Sequence, residues 1–438
     1  MLTRICLSFS LLVAMPALAQ VAPSATGTSS SPDAMQTPPP VSGDSYPTET
    51  ASEARSNYLS AGVSASAAYD NDVLGIGSST PASEFNYSIR PTIAFNQATP
   101  RTHRMFSYSP SFTIYQNVSS RNEFDQNASA NFAFRLSPHT ELTMRDSFEK
   151  STNVLNQPYQ GVSGSAQSPT EDVIAPFAEH IGNTASVGLS YQFSPNGMIG
   201  GGGTTAIENY PNPAQAVGLT NSNSYGASAF YNLRLGATQY AGLIYQHAVM
   251  NSSGVGVSSN TNSDIVYLFY TVYVKHTLSM SVSGGPQHFD VTEDALALSS
   301  SWTPAITASM GWQKSRTNFA VSYSRSVSGA GGLLGAFNSS NANGTARWQL
   351  SRSWTAGVSA SYAVQNNVLL APLSSNSGGH TISGTASVQH QISERFAAQI
   401  GYTRLHQSYS GLSVISQYPD NNSEYGGISY QLSRPLGR

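Results

Sequence analysis

Long segments of the chain alternate apolar and polar residues with a period of two, and this feature constrains the fold most. The apolar positions of the first segment are Leu59, Ala61, Val63, Ala65, Ala67 and Tyr69. Successive side chains of a β-strand point to opposite faces, so the pattern indicates a strand with one apolar and one polar face. The segments run for about 10 to 15 residues, whereas strands of soluble proteins average about 5 to 6 and a tilted membrane strand needs about 9 to 11. This length favours a membrane barrel.

Eighteen such segments can be placed between residues 57 and 433. They predict an all-β fold, a transmembrane antiparallel up-and-down β-barrel. The two weakest segments are 197–208, which contains four consecutive glycines, and 239–250, whose two faces look alike. A barrel of sixteen strands is therefore the alternative.

Connections after even-numbered segments are short, and those after odd-numbered segments are long. Four short connections share a Ser-x pair after an apolar residue: Leu136-Ser137-Pro138, Phe193-Ser194-Pro195, Leu350-Ser351-Arg352 and Ile392-Ser393-Glu394. Outer-membrane barrels have this layout, with tight turns in the periplasm and long loops outside the cell. We therefore expect the outer membrane of a Gram-negative-type bacterium, with membrane lipid around the barrel.

Charged residues make up only 10% of the chain, against roughly 25% in an ordinary soluble domain. With 20 basic and 23 acidic residues, the chain has no basic surface of the kind that binds nucleic acid. No apolar run beyond the N-terminus is long enough for a membrane-spanning helix.

The ends of the chain differ from the alternating region. Residues 1–19 combine Arg4, an apolar stretch and Ala17-Leu18-Ala19, which predicts a secretory signal peptide. Residues 20–56 are rich in Pro, Ser and Thr, which predicts a disordered periplasmic tether, with a small pore plug as the alternative. The barrel is expected over 57–433 and a C-terminal tail over 434–438. The only cysteine, Cys6, lies in the predicted signal peptide.

Aromatic residues recur on the apolar face next to the short turns. They are Phe95, Phe106, Phe134, Phe193, Tyr240, Trp312, Phe319, Trp348, Trp354 and Phe396. Amphipathic rings prefer the headgroup level of a bilayer, so we predict a periplasmic aromatic girdle.

The opposite face is dominated by Ser, Thr, Asn, Gln and Gly and carries few charges. The charged candidates for the lumen or its constriction are Arg90, Arg145, Arg135, Arg234, Arg347, Glu84, Glu141 and Glu149. Arg90 and Arg145 fall near mid-strand and could form a constriction. The alternative is that they pair with the glutamates and stabilise the wall. Small polar side chains suit water, and barrels of 16 to 18 strands leave an aqueous channel.

Catalysis finds little support in the sequence. No spacing of His, Cys, Asp and Glu suggests a metal site, and we expect no cofactor. An outer-membrane phospholipase would need His and Ser on one lipid-side face, and His406-Gln407-Ser408 places such a pair two residues apart. The Asn expected after that Ser is replaced by Tyr409, which weakens the match.

Two stretches resemble the barrel porins linked to exopolysaccharide or capsule systems. They are the first strand with its Tyr69-Asp70-Asn71 exit and the last strand, Tyr425 to Leu432, which is similar to the C-terminal signal read by the barrel-assembly machinery. The resemblance implies that the machinery is a partner. It also implies a pore for small polar solutes or the export of a polysaccharide. A barrel that acts through its long loops on a surface partner is the alternative, and a phospholipase is the remote one.

Overall fold

The computed structural model describes residues 57–71, 83–152, 178–212, 216, 219–254, 257–275, 277–293, 296–329, 334–368, 378–409 and 420–435. The predicted signal peptide and tether lie outside these residues. The described residues form eighteen strands and one short 3-10 turn, Ser119–Arg121. No helix among them is long and apolar enough to span a membrane.

The strands follow one another around the wall in sequence order. They are β1 (Tyr58–Asp70), β2 (Glu84–Ala98), β3 (Thr102–Tyr115), β4 (Glu123–Ser137), β5 (Thr140–Ser151), β6 (His180–Ser194), β7 (Gly197–Asn209), β8 (Asn221–Gly236), β9 (Gln239–Gly254), β10 (Val257–Lys275), β11 (Leu278–Glu293), β12 (Leu296–Lys314), β13 (Thr317–Gly329), β14 (Ala336–Gln349), β15 (Trp354–Asn367), β16 (Gly379–Gln391), β17 (Phe396–Tyr409) and β18 (Asp420–Pro435). Every neighbouring pair is antiparallel, and β1 pairs with both β2 and β18. The sheet closes on itself, which confirms the predicted barrel and its eighteen strands.

The alternation in the sequence becomes a difference between the two faces of the wall. Large apolar side chains such as Val63, Ile89 and Ile400 point outward and are exposed. Their cross-strand partners are apolar as well, as in the pairing of Ala65 with Ile89. Lipid is the solvent in which such an apolar outer face is stable, and the ladder of a barrel bonds the backbone groups of paired strands within the wall. The architecture is that of an outer-membrane-type barrel.

The connections that follow even-numbered strands are all short and lie at one end of the barrel, called here the turn end; the opposite end is the loop end. Serine side chains close several of these turns. The Ser393 hydroxyl accepts hydrogen bonds from the backbone N–H groups of Arg395 (3.4 Å) and Phe396 (3.2 Å), and Ser351 does the same for Trp354 (3.2 Å). The repeated Ser-x pair thus satisfies backbone donors that the ladder leaves unpaired.

Several strands extend beyond the expected ends. At the loop end, β9 continues to Gly254 and β10 begins at Val257. Both strands thus extend into residues 250–263, where a long connection was expected. Similarly, β12 begins at Leu296. Serine and asparagine occupy both faces of these extensions, so no apolar period marks them. At the turn end, β18 pairs with β1 as far as Pro435, into the predicted tail.

Candidate functional site

All eight charged residues predicted for the lumen lie on the inner face of the wall. The register shows this strand by strand: Arg90 pairs with Ser64, and Arg135 pairs with Glu141. The same face carries Glu84, Arg145, Glu149, Arg234 and Arg347. They do not form one constriction, however. Glu84, Arg90 and Glu149 lie toward the loop end, Arg145 lies at mid-strand, and Arg135, Glu141, Arg234 and Arg347 lie toward the turn end.

The group at the loop end belongs to a larger acidic cluster that sequence reasoning missed in part. Its carboxylates are Asp70, Glu84, Glu123, Asp125 and Glu149. Asn86 Nδ2 donates to Asp70 at 2.6 Å, Tyr115 Oη donates to Glu123 at 2.6 Å, and the Thr152 N–H donates to Asp125 at 3.0 Å. Glu84 accepts hydrogen bonds from the backbone and the side chain of Asn117. Four of the five carboxylates are buried in the inner wall; Glu149 is half-buried.

Arg90 is the cation at the centre of this cluster. Its side chain is only 7% exposed, and the charges that act on it most strongly are Asp125 and Glu149. Arg121 lies near Glu123 at the rim. Lys150, on the outer face of β5, also acts on Asp125. The five carboxyl groups outnumber these three cations, so this wall of the loop-end mouth is acidic in composition. Arg90 therefore belongs to the wall, as one of the two sequence-based hypotheses held, whereas Arg145 is exposed to the lumen.

The turn end carries the opposite sign. Arg135 donates from Nη2 to the Pro138 carbonyl at 3.2 Å, and Arg234 donates from Nε to the Gly236 carbonyl at 3.2 Å. Arg347 lies at the same end of β14, and Glu141 is the acidic residue opposite Arg135. The inner wall therefore has a negative loop end and a mainly positive turn end.

The nine residues Phe95, Phe106, Phe134, Phe193, Trp312, Phe319, Trp348, Trp354 and Phe396 face outward next to the turn end. The tenth aromatic residue expected there, Tyr240, faces inward and is buried. Both faces of β9 are apolar near this position, so the period alone could not assign the side of the wall. Tyr240 packs with Met198, Phe230 and Tyr273 inside the barrel.

Tyr240 is part of an apolar inner surface on β7 to β12, where small polar residues were predicted. Ile244, Ile265, Tyr267, Phe269 and Ala305 form its buried centre. A Cβ atom added at Gly242 would lie 2.7 Å from the Phe269 ring, so only glycine leaves room for that ring. This side of the barrel is therefore packed with apolar side chains.

A second packed feature is the loop-end part of the β13–β14 hairpin, which folds into the barrel. Val327 and Ala336 occupy outward positions by the alternation of their strands, yet they pack against Phe289 and Val291 on the inner face of β11. The Gly335 N–H donates to the Ser252 hydroxyl of β9 at 3.4 Å. The hairpin therefore lies inside β11 and reaches toward β9, where it narrows the lumen.

Elsewhere the inner face carries cross-strand pairs of hydroxyl groups. They include Ser66 with Ser88 (2.6 Å), Ser107 with Ser129 (2.7 Å), Ser361 with Ser383 (2.6 Å) and Thr385 with Thr403 (3.2 Å). Ser361 is buried, Ser129 is exposed and the other six residues are half-buried, so most retain contact with the lumen. Each hydroxyl has capacity for a further hydrogen bond to water or to a polar solute.

The pair considered for a phospholipase lies on the outer face at the loop end. His406 Nδ1 lies 3.2 Å from Asp420 Oδ1 on the neighbouring strand, and Arg404 bonds the same carboxylate at 2.9 Å. Ser408 lies one outward position beyond His406, opposite His380. The structure shows no hydrogen bond between Ser408 and His406. In the part of the chain that is described, no group of three or more His, Cys, Asp or Glu side chains could hold a metal ion.

Comparison of the sequence with protein-family models and with curated proteins finds no match. Solved structures of similar shape are OpdK of Pseudomonas aeruginosa crystallised with vanillate (8% identity, TM-score 0.40, covering 86% of this chain and 99% of that one) and OccK2 (OpdF) of the same organism in complex with glucuronate (9%, 0.42, 86% and 97%). The FrpB iron transporter of Neisseria meningitidis is a third (11%, 0.40, 82% and 64%).

Proposed function

We propose that the protein is an outer-membrane channel for the passive passage of small polar solutes. The observation that carries this proposal is the inner wall of a closed eighteen-stranded barrel. Its hydroxyl pairs on β1 to β4 and β15 to β17 offer hydrogen bonds without a deep, dry pocket. Barrels of this strand number leave room for an aqueous channel, and the packed surfaces on β7 to β12 fill only one side of it. Neutral sugars are the solutes that fit these groups best.

The distribution of charge supports weak ion selectivity. Carboxylates dominate one mouth and arginines the other, so a permeating ion meets fields of both signs. Arg145 is the exposed inner-face cation between the two ends. Removal of the Arg145 charge should therefore increase the permeability of the channel to cations relative to anions.

Planar-bilayer conductance and liposome swelling with neutral sugars test the proposal. We expect a stable conductance, swelling by small sugars, and a modest shift toward cations for Arg145→Ala. Lys150→Ala is the matched control, because Lys150 lies on the same strand but faces outward and pairs with Glu179 at 2.8 Å. A folded preparation with residues 20–56 deleted that gives neither conductance nor swelling would contradict the proposal.

Export of a polysaccharide is a more specific version of the proposed channel function. It is supported by the same hydroxyl-lined wall and requires a wider free path past the inward-folded β13–β14 hairpin. Binding of a longer oligosaccharide should then block the single-channel current in a chain-length-dependent manner. A barrel without conductance would instead favour a structural role through its loops.

One observation keeps lipid hydrolysis as a second candidate. His406 is oriented by Asp420 on the outer face, as a general base beside Ser408 would be. Hydrolysis of a phospholipid by the reconstituted protein that disappears in Ser408→Ala, and not in Ser393→Ala at the turn end, would support this activity. Equal hydrolysis in both variants would exclude it.

A further inference from the structure

The barrel wall is interrupted between β12 and β13. From Ile306 to Lys314, β12 pairs with β13, and the last pair toward the loop end joins Ile306 to Arg325. Among the described residues, the part of β12 before Ile306 pairs with β11 only. The seam, defined as residues 302–305 of β12 facing residues 326–329 of β13, is therefore an opening of the ladder.

The Gln287 side chain accounts for this opening, and Pro304 offers β13 no competing donor. Continuation of the register would bring Val327 opposite Pro304, which has no N–H to donate. Instead, Gln287 of β11 donates from Nε2 to the Val327 carbonyl at 2.7 Å and accepts the Val327 N–H at 2.8 Å. The side-chain amide replaces the missing strand, and β13 is held on the inner side of β11.

A pocket of about 530 Å³ lies at the free edge of β12. Residues of both faces of the wall line it: Gly285, Thr303 and Ala305 belong to the inner face, and Pro286, Trp302, Pro304 and Ile306 belong to the outer face. The lining is mostly apolar, with Thr303 as its hydroxyl. It is a shallow groove that is open to the surroundings of the wall.

The seam lies at the level of the outer leaflet if the turns face the periplasm. Trp302 and Trp312 are outward residues of one strand, ten positions apart, and a tilted strand rises about 25 Å over that length, which matches the apolar band of such barrels. Trp312 lies next to the turn end, so Trp302, which is 68% exposed, marks the opposite interface. Pro304 and Ile306 then lie in the hydrocarbon just below it.

Polar groups are clustered on the outer face directly above the pocket. The His288 ring lies 4.8 Å from the Trp302 ring, and its Nε2 lies 3.1 Å from the Ser300 hydroxyl. Asp290 lies beside His288 at 3.8 Å. Such groups suit a lipid headgroup, whereas the pocket below them suits an acyl chain.

We propose that the seam is a lateral passage that takes a single-chain amphiphile between the lumen and the outer leaflet, with its acyl chain in the pocket at Pro304. A free sheet edge in a membrane is stable only where it is buried in protein or borders water. Inner-face Ser301 is exposed and Thr303 half-buried, and outer-face Pro304 is exposed, so the edge of β12 is accessible from both sides of the wall just above the buried Ala305. This proposal depends on the geometry of the wall and not on the conductance proposed above.

A fluorescent label on the inner side of the seam tests the passage. In a Cys6→Ser background, Thr303→Cys carries a bimane label at the pocket, and Thr307→Cys is the matched control. Thr307 faces the same side of the same strand, but its part of β12 is paired with β13 through Ser324. Both variants are reconstituted in vesicles containing a spin-labelled single-chain fatty acid, and heat-modifiable migration on gels checks that they are folded.

We expect the fatty acid to quench the label at position 303 and to leave the label at position 307 unquenched. Ser301→Cys, on the inner face closer to the loop end, should respond as position 303 does. Equal responses at 303 and 307, whether both are quenched or neither is, would overturn the proposal.

Discussion

Two pairs of facing prolines interrupt the barrel wall, and their consequences differ. On β2 and β3, the register places Pro91 opposite Pro110, and the ladder resumes on both sides of them. On β11 and β12, Pro286 faces Pro304, and the ladder toward β13 never resumes. Both pairs lie on the outer face, so the prolines alone do not decide whether the wall stays closed.

The inner neighbours of the prolines account for the difference. Arg90, next to Pro91, extends among carboxylates that belong to the same closed part of the wall. Gln287, next to Pro286, bonds to Val327 of a strand that has moved inward. A missing N–H is thus tolerated locally when both neighbouring strands stay in register. The wall opens into a seam when a side chain offers one of those strands a better hydrogen-bond partner.

The largest effect is expected for Arg90→Met. Loss of this buried cation leaves Asp125 and Glu149 without their central opposite charge, and removal of one partner from a buried charged pair costs about 3 to 5 kcal/mol. Arg145→Met is the control, since Arg145 is exposed and a surface change of this kind stays within about 0.5 kcal/mol. Urea unfolding in lipid vesicles measures both. Equal losses of unfolding free energy in the two variants would show that Arg90 does not stabilise the wall beside Pro91 and Pro110.

Gln287→Leu should have the next largest effect. The Val327 N–H and C=O lose their partners, and unsatisfied buried groups cost about 1 to 3 kcal/mol each, so we expect a loss of about 2 to 6 kcal/mol. Gln246→Leu is the matched control, because Gln246 and Gln287 flank Ile265 on the inner face from either side. A variant as stable as this control would mean that the seam is not held by the amide.

The two proline substitutions should have the smallest effects on the unfolding free energy, and only one of them should raise it. Pro110→Val restores an N–H between two paired strands, which should raise the unfolding free energy by about 0.5 to 1.5 kcal/mol. Pro304→Val restores an N–H beside a strand that has folded inward, so the unfolding free energy and the quenching at position 303 should not change. Closure of the seam by Pro304→Val alone would assign the opening to the proline and not to Gln287.

The sequence was informative wherever one strand could be considered alone. Alternation predicted the eighteen strands, the Ser-x turns and the inner position of all eight charged candidates. It failed for Tyr240, because β9 is apolar on both faces there. It also failed to group Asp70, Glu123 and Asp125 with Glu84, since these residues come from β1, β2 and β4 and meet only through the register.

By itself, the sequence determined the period, the strand lengths and the side on which most residues lie, because these depend on backbone geometry within about ten residues. Only the tertiary structure decided that β13 and β14 fold inside β11, where Val327 lies in the interior from an outward position. Alternation defines which residues of a strand share a face, but not whether that face meets lipid or another strand. That choice depends on long-range bonds such as those from Gln287 to Val327.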